Sequence, residues 1–445
     1  MLGSERMRQI TERLLAYSAA QQTEVVLLSE DAYLTRFANS RIHQNVAEQN
    51  TQIRVRAVTG KKVGVASTND LSDAALQRVA DNALQIASLQ PDNPDFQSLP
   101  APQPVPKVDA FVQATASFTP QQRAQAVATV CKLATERGLI ASGAFTSATT
   151  EYAVANSHGI FAYAPQTLSE LTAVVMSSDS SGYASSSSLD VREINAEQIG
   201  REAVDKAVRS RNPKAIEPGK YAVILEEYAV ATLMTYLSYL GLGALSVQEG
   251  RSFMANRFGQ RITGENISIW DDGLDTTGLP VPFDFEGVPK QRVELITEGV
   301  AKAVVYDSYT ANKEGKQSTG HALPAPNTYG PMPSNLFLGA GASTKEEMLA
   351  SMDRGLWVTR FHYVNPVHPL KTILTGMTRD GTFWIEKGEI QMPTKNLRFT
   401  QNVLEALSSA RMITEQTRLS RGFFGGIRVP ALCIGHFAFT GATEF

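Results

Sequence analysis

The sequence predicts an α+β fold, with an N-terminal domain of helices packed on antiparallel sheet and a β-rich C-terminal domain. Up to Ser210, segments of helical periodicity alternate with segments in which apolar residues recur at every second position. From Ile262 onward, short apolar runs alternate with Gly and Pro turns, and one clear helix interrupts them over Thr344–Asp353. The 445 residues, 43% of them hydrophobic, suffice for two to three domains.

Two proline-containing connectors divide the chain into the segments 1–99, 109–213 and 220–445. Residues 91–106 hold six prolines, which remove backbone donors and favour an extended linker. Arg211–Gly219 contains two more. We expect the first two segments to form the N-terminal domain together and the third to form the C-terminal domain.

The first segment predicts a helix, an antiparallel meander and a second helix. Residues 5–20 place apolar side chains at helical spacing. Glu24–Ser29 is rich in Val and Leu, and Thr51–Val58 alternates apolar with polar residues before a turn leads into Val63–Ala66. The second helix covers 72–89.

The middle segment predicts a helix, a hairpin and a last helix. Thr119, followed by a proline, is typical of a helix start. The hairpin joins Thr149–Ala155 to Ile160–Tyr163. Ser177–Ser188 has eight serines in twelve residues and predicts a mobile turn or an edge strand. Asn195 then caps the last helix.

The third segment begins with a buried strand, Tyr221–Leu225, and a helix without charges, Tyr228–Leu240. The charge-free stretch covers 20 residues in all, which is long enough to span a bilayer. Its Thr, Ser, Tyr and Gly residues instead favour a helix buried within the protein. Asn335–Leu338 predicts a strand, and Ser343 with Glu346 predicts a capping box.

Composition and charge exclude several classes of function. A net charge of −3 without a dense Lys/Arg run is unlike a protein that contacts nucleic acid directly. The N-terminus lacks the apolar core of a signal peptide. The two cysteines, Cys131 and Cys433, are expected to be buried, inert thiols of a reducing compartment. We therefore expect a cytoplasmic protein with no membrane association.

No pattern of metal ligands or nucleophiles is complete. The six histidines include no pair at i, i+3 or i, i+4 and no His-Glu-x-x-His. His362 and His368 are the nearest pair, and only a loop would bring them together. Asp271–Gly273 reads as a turn, because adjacent side chains on an extended backbone point in opposite directions. Gly-x-Ser-x-Gly and P-loop motifs are also absent.

Several long motifs nevertheless follow one another in the order of a known family. The N-terminal part contains Leu34–His43 and Val55–Gly64. The more specific C-terminal motifs are Asp271–Gly273, Pro282–Pro289, Arg292, Ser318–His321, Pro333–Leu336, Asn365–Pro366 and Trp384–Glu389. Together they resemble the TldD/PmbA family, the "modulator of DNA gyrase" proteins, which are assigned as metallopeptidases. The resemblance covers nearly the whole chain.

This resemblance implies a pair of chains. A catalytic TldD-like chain carries His-Glu-x-x-x-His on a helix and a cysteine near its C-terminus, and its zinc activates water for peptide cleavage. The corresponding helix here, Tyr228–Leu240, has no His, Glu, Asp or Cys. The corresponding later stretch, Arg421–Arg428, has no Cys, and Cys433 is out of register. The resemblance thus implies a non-catalytic TldE/PmbA-type subunit, with zinc in its partner only. It also implies a C-terminal sheet that curves like half a barrel around the buried helix.

The expected partners are a TldD-like metal-bearing paralogue or a second copy of this chain, and a peptide substrate. We place His362, Asn365 and His368 near the surface that takes the peptide as an added strand. Three alternatives stay open. The chain could be a stand-alone homodimeric metallopeptidase with an atypical metal set from His321, His362 and His368. It could be a peptide-binding module without protease activity, or a gyrase regulator that acts through protein contacts.

Overall fold

The computed structural model describes residues 1–442 and begins with a domain built on one sheet. Its elements are α1 (Ser4–Tyr17), β1 (Gln22–Ala38), β2 (Arg41–Thr59), β3 (Lys62–Thr68), α2 (Asp73–Leu89), α3 (Gln113–Ala116), α4 (Pro120–Thr135), β4 (Ile140–Asn156), β5 (Phe161–Met176), β6 (Ser181–Ser188) and α5 (Ala196–Arg209). The six strands are all antiparallel and follow the order β3-β2-β1-β4-β5-β6. This arrangement confirms the predicted antiparallel sheet with helices.

The two faces of this sheet have different neighbours. On β1, Val25 and Leu27 pack under α1 and α2, whereas Val26 and Leu28 point to the opposite face. That opposite face packs against Phe283 of the C-terminal domain. The N-terminal sheet therefore forms part of the wall between the two domains.

Most strands of this sheet are longer than the sequence predicts. Strand β2 begins at Arg41 and not at Thr51. The sequence pattern missed residues 41–50 because they show no alternation of apolar and polar residues, and all but the half-buried Val46 are exposed. Their backbone still pairs with β1. Most of the serine-rich segment forms β6, which stands last in the strand order beside β5, so the edge-strand alternative is confirmed.

The C-terminal domain contains the remaining strands and helices. These are β7 (Gly219–Leu225), α6 (Glu227–Gly241), α7 (Ala244–Gln248), β8 (Ile269–Asp271), β9 (Val293–Thr297), β10 (Val300–Ala301), α8 (Ser308–Lys313), β11 (Asn335–Leu338), α9 (Lys345–Ala350), β12 (Arg354–His368), β13 (Ile373–Glu386), β14 (Glu389–Pro393), β15 (Leu397–Asn402), α10 (Val403–Ser408), β16 (Ala410–Arg421) and β17 (Gly426–Ala442).

The C-terminal sheet is strongly curved. Strand β7 pairs with β12 on one side and with β17 on the other, while β12, β13, β15 and β17 are consecutive neighbours. These five strands therefore close on themselves. Helix α6 packs against β12 and β17, and its Leu233, Met234 and Leu237 lie in the main hydrophobic core. The predicted curved sheet and buried helix are both confirmed.

Helix α9 begins one residue later than predicted. The capping box is formed by Thr344 and Glu347, with the Thr344 Oγ1 accepting from the Glu347 N–H at 3.1 Å. The predicted box from Ser343 and Glu346 is therefore wrong. Thr344 and Glu347 have the same three-residue spacing, and the helix begins after Thr344, so this second pair forms the box. Elsewhere, Cys131 and Cys433 are free and buried, as predicted. Within residues 1–442, no helix is long and apolar enough to cross a membrane.

A buried cluster of charges joins the two domains. Lys206 of α5 donates through Nζ to the Glu226 Oε2 at 2.6 Å and to the Glu202 Oε1 at 2.8 Å. Arg418 of β16 pairs with Glu202 at 3.2 Å. All four side chains are less than a quarter exposed, and Glu226 is the most buried, at 2%. The cluster therefore fixes α5 against the start of α6.

We expect acid to weaken this interdomain cluster. Burial acts to raise the pKa of Glu202, but the charges of Lys206 and Arg418 outweigh it and lower that pKa to about 2. Because the folded-state pKa lies below the ordinary value of 4.5, Glu202 stabilises the fold fully above pH 4.5, and the contribution is lost as pH falls through about 2. Urea unfolding across this range should show a shallower pH dependence for Glu202→Gln than for the native chain. Equal pH dependence would contradict the assignment.

Candidate functional site

Helix α6 presents a hydroxyl-bearing face to solvent. Thr232, Thr235 and Tyr236 are half-buried and share one side of the helix, as i, i+3 and i+4 positions do. The Thr232 Oγ1 donates to the Tyr228 carbonyl at 3.0 Å, and the Tyr236 hydroxyl donates to the Val364 carbonyl on β12. The helix is therefore tied to β12 along this face.

This face of α6 forms one wall of a cleft of about 420 Å³. The opposite walls are formed by residues 361–364 of β12, by Arg421–Phe423 at the end of β16, and by Glu170 of β5. The family resemblance implies that α6 and Arg421–Arg428 correspond to the metal-bearing helix and the late cysteine stretch of a catalytic chain, and residues of both segments line this one cleft.

The charged groups of the cleft are partly desolvated. Burial raises the pKa of Glu170, and the Arg421 guanidinium opposes this shift. Burial, together with the positive charges of Arg379 and Arg360, lowers the pKa of His362. His362 is therefore uncharged at neutral pH, and Arg421 is the cation of the cleft.

The lining of the cleft does not fit a zinc site. Zinc in proteins takes three or more ligands from His, Cys, Asp and Glu. Of the described residues that line the cleft, only His362 and Glu170 are of these types, and the Arg421 guanidinium would repel a cation. Across residues 1–442, no group of three or more such side chains is positioned to hold a metal ion.

Of the three predicted substrate-contacting residues, one lines the cleft. His362 is half-buried in its wall. Asn365 and His368 are exposed farther along β12, and the Asn365 Nδ2 donates to the Tyr363 carbonyl at 3.1 Å. The pairing of β12 with β13 shifts register between His362 and Asn365. The structure therefore places all three on one strand but only His362 in the cleft.

The alternative metal set is not brought together. His321 is 1% exposed, its Nε2 donates to the Asp271 Oδ1 at 2.7 Å, and its Nδ1 lies 2.9 Å from the Thr319 hydroxyl. Both ring nitrogens therefore have internal partners. His321, His362 and His368 do not form a metal-binding group in the described part of the chain.

Two features of this region were not predicted from the sequence. The spacing of Thr232, Thr235 and Tyr236 was a visible signal for a polar face on α6. No local signal placed Arg421 or Glu170 beside that face, because both belong to strands distant in sequence.

Comparison with known proteins identifies the family. A family model described as the PmbA/TldA metallopeptidase C-terminal domain matches residues 218–441, which is more than half of the chain. The chain belongs to the PmbA/TldD family. Models described as domain 1 and as the central domain of the same metallopeptidases match residues 23–87 and 116–211.

Relatives of known sequence match over large parts of the chain. The chain is 27% identical over 358 residues to metalloprotease PmbA of Escherichia coli O157:H7, covering 76% of this chain and 75% of that protein. It is 28% identical over 272 residues to an uncharacterized protein, MJ0231, of Methanocaldococcus jannaschii. That match covers 61% of this chain and 63% of the relative, which is less than two thirds of its length.

Solved structures share the fold of this PmbA/TldD member over nearly its whole length. TldE from Thermococcus kodakarensis has a TM-score of 0.89 at 20% identity, and the match covers 97% of this chain and all of TldE. A candidate modulator of a DNA gyrase from Thermotoga maritima has a TM-score of 0.87 at 20% identity. The match covers 98% of this chain and all of the Thermotoga chain. The three family models confirm the family resemblance seen in the sequence, and these structures share its fold.

Proposed function

We propose that this chain is the non-catalytic, TldE/PmbA-type subunit of a cytoplasmic TldD-like metalloprotease complex that cleaves unfolded or short peptides. The observation that supports this proposal is the composition of the cleft. Where a metal-bearing helix would present His and Glu, α6 presents Thr232, Thr235 and Tyr236, and Arg421 occupies the facing wall. The zinc and the water it activates would then belong to a metal-bearing paralogue.

The cleft would contribute peptide binding rather than chemistry. Strand β7 pairs with β12 only over Gly355–Val358, so β12 from Arg360 onward has a described partner strand, β13, on one side only. An extended peptide can add to such an edge through backbone hydrogen bonds. Tyr363 and Phe423, 72% and 74% exposed, flank the cleft and offer apolar contacts to peptide side chains.

Co-purification with a TldD-like paralogue tests the subunit assignment. We expect the two chains to form a complex that hydrolyses an unfolded protein such as reduced casein. We expect this chain alone to remain inactive when zinc is added. Changing the glutamate of the paralogue's metal motif to glutamine should abolish hydrolysis. Hydrolysis by this chain alone would contradict the proposal.

Alanine substitution of His362, Asn365 and His368 together tests the peptide edge. In the complex we expect the KM for peptide to rise by about threefold to tenfold with kcat nearly unchanged, because these side chains would hold substrate without touching the reacting bond. His436→Ala, on an exposed histidine of β17 outside the cleft, is the matched control. An unchanged KM in the triple variant would remove these residues from the binding surface.

A further inference from the structure

A second cavity, of about 400 Å³, lies between the C-terminal domain and the face of the N-terminal sheet that is opposite to α1 and α2. This volume falls in the usual range of small-molecule sites, about 300–1,000 Å³. The cavity shares only Arg421–Phe423 with the cleft at α6. Much of its wall is apolar, including Leu279, Val281, Phe283, Leu323 and Met332.

The buried amine of Lys290 forms the polar end of this cavity. Burial lowers the pKa of Lys290, and the nearby carboxylates of Asp271 and Asp284 oppose this shift. Lys290 is 7% exposed, and its Nζ donates to the Ser334 Oγ at 2.6 Å. An ammonium has three N–H donors, yet within residues 1–442 no carboxylate lies within 4.0 Å of this nitrogen, and Ser334 is its one side-chain or backbone acceptor. The Ser334 hydroxyl proton likewise has no acceptor among these residues. Lys290 and Ser334 both line the cavity, so their remaining N–H and O–H donors are available to an acceptor bound there.

Residues of the motifs Asp271–Gly273 and Pro282–Pro289, which have no role in the proposed function, surround Lys290 and Ser334. A Cβ on Gly273 would lie 2.1 Å from the Cδ of Lys290, so glycine leaves the room that the lysine stem needs. The Asp271 Oδ2 accepts from the Ser334 N–H at 2.7 Å. The Lys290 N–H donates to the Pro282 carbonyl at 3.0 Å. The surrounding motifs therefore hold the ammonium and the hydroxyl side by side.

We propose that this cavity binds the carboxylate of an apolar ligand. Its two oxygens would accept hydrogen bonds from the Lys290 ammonium and the Ser334 hydroxyl, while its apolar part lies against the aliphatic and aromatic wall. A free apolar carboxylic acid and the C-terminus of a peptide share this chemistry. The inference concerns a separate cavity and does not require the protease complex.

The other charged groups of the cavity are compatible with an anion. Asp284 also lines it, but its oxygens accept three backbone N–H bonds, from Glu286, Val288 and Ala322. Burial, together with the nearby Glu286 carboxylate, raises the pKa of Asp284 to about 7, which reduces its negative charge near neutral pH. Burial also lowers the pKa of His321, which stays neutral. Glu30 is solvent-exposed, and Arg421 adds a positive charge.

Titration calorimetry on the purified full chain tests this inference with two pairs of probes. One pair is 3-phenylpropanoate and its amide, and the other is N-acetyl-Leu-Phe and its C-terminal amide. We expect at least one acid to bind about tenfold or more tightly than its amide, as a charge-assisted hydrogen bond predicts. Binding of the simple acid alone identifies a free acid as the ligand. Binding of the dipeptide acid alone identifies a peptide C-terminus, and binding of both identifies a general carboxylate site.

Lys290→Met assigns the effect to the cavity, because methionine keeps the apolar stem and removes the ammonium. We expect this variant to lose the preference for acid over amide, and Lys302→Met, at an exposed lysine, to keep it. If Lys290→Met does not fold, Ser334→Ala should still weaken acid binding by about threefold to tenfold. The proposal would be overturned if neither acid binds, or if acids and amides bind equally. It would also be overturned if Lys290→Met binds the acid as the native chain does, or if Ser334→Ala does so where Lys290→Met does not fold.

Discussion

Replacing Asp271 by alanine is expected to lower the free energy of unfolding of the C-terminal domain by about 3–5 kcal/mol. Asp271 is 0% exposed and accepts from the backbone N–H groups of Ser334 and Asn335, each at 2.7 Å, and from the His321 Nε2. Burial acts to raise the pKa of Asp271, but His321 and Lys290 outweigh it and keep the pKa low, so the group is a buried anion. Its removal leaves two backbone donors and an imidazole without their acceptor.

The neighbouring aspartate provides the control for this prediction. Asp272 accepts from the Leu274 N–H at 3.0 Å and pairs loosely with the half-exposed Arg292 at 3.8 Å. Asp272→Ala should therefore cost less than about 1 kcal/mol. Urea unfolding followed by tryptophan fluorescence measures both variants, since all three tryptophans lie in the C-terminal domain. Equal losses for the two variants would contradict the role given to Asp271.

Replacing Lys206 by methionine is expected to lower the free energy of unfolding by about 3–5 kcal/mol. The change leaves the Glu226 carboxylate, 2% exposed, without its cationic partner at 2.6 Å, and removes the positive charge between Glu226 and Glu202. Because this contact joins the two domains, we also expect their unfolding transitions to separate. Circular dichroism, which reports on both domains, and tryptophan fluorescence would then give different midpoints.

Two further variants separate charge burial from simple loss of packing in the Lys206 cluster. The control is Lys132→Met, at an exposed lysine of α4 whose Nζ lies 3.8 Å from the Glu136 Oε1. This change should alter the free energy of unfolding by less than about 1 kcal/mol. The double change Lys206→Met with Glu226→Gln removes the unpaired anion and should recover part of the lost stability. If the double variant is less stable than Lys206→Met alone, the buried-charge explanation fails.

Local signals made part of the fold predictable from sequence. The cap at Thr119, the apolar helix at α6 and the strand at β7 each depend on neighbouring residues, and the structure has all three. Residues 41–50 carried no such signal, because their side chains on both faces are exposed, except for the half-buried Val46, while their backbone pairs with β1. The local sequence pattern therefore predicted whether a segment is a helix or a strand better than it predicted where the segment begins and ends.

The candidate sites depended on contacts that local pattern does not encode. Asp271 and His321 are 50 residues apart and yet hydrogen-bonded, so a turn motif and a candidate metal ligand proved to be one buried pair. Arg421 and Glu170 face α6 from two different strands. The family resemblance indicated which segments to compare, and the structure placed them in a common cleft.

The zinc content of the chain, purified without a partner under conditions that leave zinc proteases loaded, tests the non-catalytic assignment most directly. Among residues 1–442, the cleft offers His362 and Glu170 as its only side chains of the zinc-ligand types, so elemental analysis should find close to zero zinc per chain. Close to one zinc per chain would contradict the account and would make His321, His362 and His368 the first residues to substitute.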